Sequence, residues 1–178
     1  GTKGSLTTTF ESKLSGKYTF GVSVIYDGEE SLEDAVVVTI APPKTIHVPG
    51  DYPTIQEGID AAVKGDRVLV AAGTYVEKPV LKPGITVSGE GADKTIIDGE
   101  WCEPAAVLMA DNSVLEHVQI TGNPDMGYLL QIKDISATVQ YCLFNYKEHY
   151  GSALRLEGEG SQLVQFNTFK PAQYGNHI

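Results

Sequence analysis

Basic charge is what this 178-residue chain has least of. Thirteen Lys and Arg stand against 23 Asp and Glu, giving a formal net charge of −10 and a pI of about 4.7. Arg67 and Arg155 are its only arginines, and the lysines are scattered, so the basic patch of a nucleic-acid binder is missing. The partners this balance admits are cations, neutral sugars and basic surfaces. No apolar run approaches the ~18 residues of a membrane-spanning helix, so no such helix is expected. The two cysteines, Cys102 and Cys142, fit neither a disulfide framework nor a metal motif. Cys142 reads as a small buried hydrophobe and Cys102 as a loop thiol. The chain opens Gly1-Thr2-Lys3 without Met or a signal peptide, so a processed protein or a piece of a longer one is expected.

What the chain does have is the material of strands and turns: 19 Gly, 9 Pro and 9 Tyr, with 42% hydrophobic residues, enough for a sizeable core. Residues 5–41 stand apart. Tyr18 to Tyr26 alternates large apolar with small or polar residues, the period of a half-buried strand, and Asp27-Gly28-Glu29-Glu30 is a turn signal. Ala35–Ile40 is a second strand, Leu6–Phe10 a candidate third, and Pro42-Pro43 closes the unit as a linker. With Leu14 to Tyr18 at the corner, this stretch resembles the last three strands of a fibronectin type III domain, which implies a partial β-sandwich. A β-hairpin arm lying on the main domain is the alternative. The expected division is therefore 1–43 and 44–178.

The second part begins with a helix, expected over 54–64. Thr54 is its N-cap and Glu57 stands at capping-box spacing, while Ile55, Ile59, Ala62 and Val63 form one apolar stripe. Repeats follow. Val114–Thr121, Ala137–Phe144 and Gln162–Phe169 align at offsets of 23 and 25 residues, each preceded by a serine (Ser113, Ser136, Ser161). Val107 and Met109 match Leu130 and Ile132, then Leu154 and Leu156, at offsets of 23 and 24. A β-rich period in the low twenties means a solenoid. The Leu-x-x-Leu-x-Leu frame of leucine-rich repeats is missing, so a right-handed parallel β-helix of about 4–5 coils fits better. The expected inward stacks are Leu115/Thr138/Leu163, Val118/Tyr141/Phe166 and Ile120/Leu143/Thr168. A stack exposes strand edges at its ends; the helix is expected to cap one end, and Asn176-His177-Ile178 leaves the other in mid-coil.

Pro53-Thr54-Ile55-Gln56 through Gly73-Thr74-Tyr75-Val76-Glu77, then Ile85–Gly91 and Thr95–Gly99, resemble the opening of pectin lyase-like β-helix proteins, which include pectin methylesterases and pectate lyases. The resemblance covers residues 44 to about 123 and the remainder by repeat. It implies fold rather than activity, since this opening is shared across the superfamily. It also implies where the chain departs from the enzymes: the later methylesterase motifs with their two aspartates, arginine and glutamines have no counterpart, and for the Arg or Lys base that pectate lyases use beside their calcium-binding aspartates the arginines on offer are Arg67 and Arg155. Arg155, between inward Leu154 and Leu156, points outward beside Gln131, with Lys133 against Glu157, and reads as part of a solvated charge ladder.

Four loops follow equivalent strands and should cluster on one side: 99–104, 122–128, 145–151 and 170–177. Their aromatics Trp101, Tyr128, Tyr146, Tyr150 and Tyr174 are the candidate sugar-binding residues, because aromatic rings beside hydrogen-bonding groups suit sugars. Asp125 and Glu148 are candidate acid and base for glycoside hydrolysis, with His149 a further candidate base. Asp98, Glu100, Glu103 and Asp125 are candidate ligands for calcium, although no calcium-loop motif is present. The expectation is a secreted or cell-surface module that binds or presents to polysaccharide without catalysis. The alternatives are a polysaccharide lyase or glycoside hydrolase, and a structural unit that assembles with itself, end to end, through the open coil.

Overall fold

The computed structural model describes residues 15–22, 25–26, 29–30, 34–123, 127–147 and 152–170. The chain divides between Pro42 and Pro43 into two units. The first contains β1 (Gly16–Val22), β2 (Ile25–Tyr26), β3 (Glu29–Glu30) and β4 (Asp34–Ile40). β1 pairs antiparallel with β4, and β2 with β3. The sequence pattern predicts one strand from Tyr18 to Tyr26, but the structure divides it. Val22 faces Asp34 whereas Ile25 faces Glu30, three steps on one side against four on the other, so the two pairings cannot share a register. Tyr18 and Phe20 are half-buried between exposed Lys17, Thr19 and Gly21. The candidate strand Leu6–Phe10 lies outside the described residues.

The second unit is a parallel β-solenoid. Its first strand is β5 (Thr45–Val48), followed by helix α1 (Ile55–Ala61) and then β6 (Arg67–Val70), β7 (Gly73–Val76), β8 (Thr86–Gly89), β9 (Thr95–Trp101) and β10 (Ala105–Leu108). β11 (Ser113–Glu116), β12 (Gln119–Asn123) and β13 (Tyr128–Lys133) repeat the set, as do β14 (Ala137–Gln140), β15 (Leu143–Tyr146) and β16 (Ser152–Glu157); β17 (Gln162–Gln165) and β18 (Thr168–Lys170) follow. They form a six-stranded sheet in the order β17-β14-β11-β8-β6-β5, a five-stranded sheet β18-β15-β12-β9-β7, and a three-stranded sheet β10-β13-β16.

Like residues stack in rows across the coils. Ile46, Val68, Val87, Leu115, Val139 and Val164 are in register in the six-stranded sheet. Tyr75, Ile97, Ile120, Phe144 and Phe169 make the row of the five-stranded sheet, where the rings of Phe144 and Phe169 stack 4.7 Å apart. Val107, Leu130 and Leu154 make the third. The first five residues of the first row and Ile97, Ile120 and Phe144 of the second are buried.

These rows correct the expected inward stacks. Ser113 pairs with Ala137, an offset of 24 rather than 23, so Thr138, Tyr141, Leu143 and their copies at 163, 166 and 168 are not core residues. A one-residue slip moves a strand's side chains to the opposite face. The observed register buries Val139, Cys142 and Phe144; the expected one would have buried Thr138 and Tyr141 and turned those three outward. The row of Val107, Leu130 and Leu154 falls where the offsets of 23 and 24 place it.

Helix α1 is shorter than expected. The Thr54 side chain accepts the Glu57 N–H at 3.2 Å, and the Glu77 carboxylate accepts the N–H groups of Ile55 and Gln56, each at 3.0 Å. Three of the first-turn donors are thereby satisfied. Ala62 is extended, so Val63 falls off the stripe and is exposed, while Ile55, Ile59 and Ala62 are buried. The helix lies close on β5 and β6: a Cβ on Gly58 would stand 2.9 Å from Val48 and 3.1 Å from Val68. Lys82 Nζ donates to the carbonyls of Asp60 (2.9 Å) and Ala62 (2.6 Å) at its C-terminus, where a positive charge is favoured.

Asp66 fixes the turn after the helix. Its carboxylate is 2% exposed and accepts the N–H groups of Lys44 and Val63, each at 2.9 Å. Burial opposes its charge, but the two amides outweigh burial and hold its pKa below the usual 3.8. Replacing Asp66 by Ala strips both amides of their acceptor and is expected to lower unfolding stability by about 2 kcal/mol at neutral pH. Because the folded pKa is lowered, the stabilisation is complete above the ordinary carboxylate value and is lost as pH falls through the lowered one. Urea unfolding of wild type and Asp66→Ala should therefore show a gap that narrows in acid; equal stabilities at neutral pH would refute this role.

Candidate functional site

Three loops join the five-stranded sheet to the three-stranded sheet, after β9, β12 and β15. Their described residues are hydrogen-bonded from coil to coil. Cys102 N–H donates to Asn123 O (3.3 Å), Tyr128 N–H to Pro104 O (2.9 Å) and Lys147 N–H to Gly122 O (3.1 Å). Two polar clusters are built against this edge.

The first lies on the outward face of the three-stranded sheet. Gln131 is in register with Arg155, and Lys133 with Glu157. The Arg155 guanidinium stands 4.9 Å from the centroid of the Tyr128 ring, donates to the Tyr128 hydroxyl and pairs with Glu157. Gln131 Nε2 donates to the other Glu157 oxygen at 3.5 Å. The hydrogen bonds to Glu157 and Tyr128 push the Arg155 pKa up, and the bond from Arg155 holds Glu157 below its usual 4.5. The result is a fixed array of guanidinium, phenol, amide, carboxylate and ammonium groups on a rigid sheet, set one strand apart.

The second cluster lies at the ends of β9 and β15. Asp98 is largely buried; its Oδ2 is 2.5 Å from Lys147 Nζ, and its Oδ1 accepts the Glu100 N–H at 3.0 Å. Asp98 lies in an in-register row between Val76 and Thr121, followed by Asn145 and Lys170. Trp101, the only tryptophan, is 67% exposed, and its carbonyl accepts from Lys78 Nζ at 2.6 Å.

The expected site residues are thus divided. Tyr128 and Trp101 stand at this edge. Tyr146 is half-buried and packs against the core, and burial raises its phenol pKa. Asp125, Glu148, His149, Tyr150 and Tyr174 lie outside the described residues. Glu100 and Glu103 are exposed, and among the described residues no group of three His, Cys, Asp or Glu side chains comes together to hold a metal. Lys147 was missed from sequence; its signal is a separation of 49 residues from Asp98, twice the coil period. Both cysteines are free and buried, and burial pushes the Cys142 thiol up to about 12.

Arg67 shows the same double period. It reaches past β8 to Glu116, 49 residues on, at 2.6 Å, and touches Ser88 Oγ at 2.7 Å. Gln140 Nε2 donates to Glu116 (2.8 Å) and Gln165 Nε2 to Gln140 (2.9 Å), completing a polar ladder on the outer face of the six-stranded sheet.

No protein-family model matches the chain, and no curated protein matches it by sequence. Its fold is shared with solved structures. The pectin methylesterase PemA from Erwinia chrysanthemi superposes with a TM-score of 0.59 at 10% identity, over 79% of this chain and 58% of that one. Pectin methylesterase from carrot gives 0.55 at 15% identity, over 79% and 56%, and a mutant pectin methylesterase in complex with a hexasaccharide gives 0.55 at 11%, over 78% and 59%. This chain therefore spans under three-fifths of each of these enzymes, and what it shares with them is the parallel β-helix.

Glu116 is nearly buried, and burial opposes its charge; hydrogen bonds from Gln140 and Ser88 and the charge of Arg67 more than offset this and hold its pKa low. Arg67→Ala removes the counter-charge and is expected to cost about 2 kcal/mol, discounted because the Arg67 side chain is partly solvated. Glu116→Gln in that background should recover most of the loss, since no unpaired carboxylate then remains. Thermal and urea unfolding of the two variants measure this, and a double variant no more stable than Arg67→Ala alone would contradict it.

Proposed function

We propose that this chain is an extracellular or cell-surface β-helix that binds pectin-type polysaccharide on the outward face of its three-stranded sheet. The observation that carries the reading is the Tyr128–Arg155–Glu157–Gln131 array with Lys133 beside it. Planar donors and acceptors held in one geometry match the vicinal hydroxyls of a sugar, and guanidinium and ammonium groups suit a uronate carboxylate. With Glu157 counted, the array carries one net positive charge in a chain of net charge −10, which favours an acidic glycan there. Structural likeness to pectin methylesterases, one of them holding a hexasaccharide, supports the same ligand class.

In this reading α1 caps the first coil, the 1–43 unit is a fibronectin-like spacer, and Trp101 flanks the glycan. The array as described binds without catalysis. An enzymatic reading is favoured by one observation, that the structural neighbours are esterases, and it would draw on Asp125, Glu148 and His149.

Affinity electrophoresis through gels containing pectin or polygalacturonate tests the proposal. Wild type is expected to be retarded, and Arg155→Ala to lose affinity by about tenfold, the loss of one charge-assisted contact. Unretarded wild type would sink it. Methanol release, or unsaturated ends absorbing in the near ultraviolet, would move the chain to the enzymatic reading.

A further inference from the structure

A second surface is built at the opposite corner, where the six-stranded sheet turns into the five-stranded one. The turn residues there are His117, Tyr141 and Phe166, with φ of 58°, 55° and 55°. Their rings stack at 5.0 and 5.1 Å with interplanar angles of 1° and 10°. Tyr141 is 44% exposed and Phe166 66%. Two local preferences are violated at once. Left-handed backbone favours Gly, Asn and Asp and tolerates His, so the outliers are the bulky rings of Tyr141 and Phe166. Exposed positions favour polar side chains. The corner between the three-stranded and six-stranded sheets contrasts with this one: its left-handed residues are Asn112, Asp134 and Gly158. Strained, exposed aromatics at one corner and cheap polar residues at the other point to a role for the rings beyond folding.

From this surface we infer a second glycan site, distinct from the three-stranded sheet, that takes an extended, uncharged β-1,4-linked glycan lying along the solenoid axis. The rings recur at about the advance per sugar of such a chain, so each coil meets one residue. The outward ring edges carry partial positive charge and meet sugar oxygens. Gln140 and Gln165 run beside the rings in register and offer amide donors and acceptors at the same repeat. The one carboxylate of the row, Glu116, is already neutralised by Arg67, which leaves the strip without net charge and favours a neutral glycan over an acidic one.

Affinity electrophoresis through hydroxyethylcellulose, an uncharged β-1,4-glucan, tests this. Wild type is expected to be retarded. Tyr141→Asn/Phe166→Asn places residues that accept left-handed backbone at both positions, so the melting temperature should be kept or raised while glucan affinity falls at least tenfold. The single variant Phe166→Asn, at the most exposed ring, should show a partial loss. Retardation by polygalacturonate should not change in either variant, and Arg155→Ala should leave glucan retardation intact, which keeps this inference separable from the proposal for the other face. Wild type that migrates freely in the glucan gel, or a double variant retarded like wild type, overturns the inference. So does sedimentation in which wild type self-associates and the double variant does not, because the rings would then be a contact between copies.

Discussion

Parallel strands in register, one coil above the next, impose the constraint on which everything else here depends. The backbone ladder holds neighbouring coils about 4.8 Å apart, so every side chain lies against its own counterpart in the next coil. Apolar residues gain from this by forming continuous rows, such as Ile46 through Val164 and Tyr75 through Phe169. Charged residues lose, because like charges one strand apart repel. The outward rows resolve that conflict by alternating type. Gln131 lies over Arg155, Lys133 over Glu157, and Glu116 between Ser88 and Gln140.

The same constraint explains why binding surfaces arise so readily on this scaffold. A functional group placed once on a coil gains neighbours at a fixed repeat from the coils on either side. The Arg155–Tyr128–Glu157 array and the His117–Tyr141–Phe166 stack are both of this kind, one polar and one aromatic, on different edges of the prism. A polymer with its own repeat is the natural complement, since it can meet successive rungs with successive units.

The period and the sheet type were legible in the chain because Val, Ile and Leu recur at 23 to 25 residues. The rows at Ile97/Ile120 and Val107/Leu130/Leu154 follow directly. The register of Ala137–Gln140 was not. Thr138 and Val139 are both acceptable strand residues, and Tyr141 looks more like core than Cys142 does, so local hydrophobicity favoured the wrong face. Only the demand that Val139, Cys142 and Phe144 be buried together selects the offset of 24. The polar ladder of Glu116, Gln140 and Gln165 respects the same repeat. Lys147 beside Asp98 was hidden, because its partner lies two coils back and no single-period comparison aligns them. Of the sugar-binding candidates, Tyr128 and Trp101 stand at the expected edge, whereas Tyr146 turned towards the core, a choice made by packing that its loop-like sequence context does not signal.

The ion pairs Arg67–Glu116 and Asp98–Lys147 both span 49 residues and so skip a coil. Solenoids are commonly treated as one-dimensional arrays in which each repeat couples only to its neighbours, so that units at an end can melt singly. Here the two pairs overlap along the chain, from 67 to 116 and from 98 to 147. Loss of any coil between them breaks a bond belonging to coils that are still folded. Each pair thus adds to the nearest-neighbour ladder a coupling between coils that have one other coil between them.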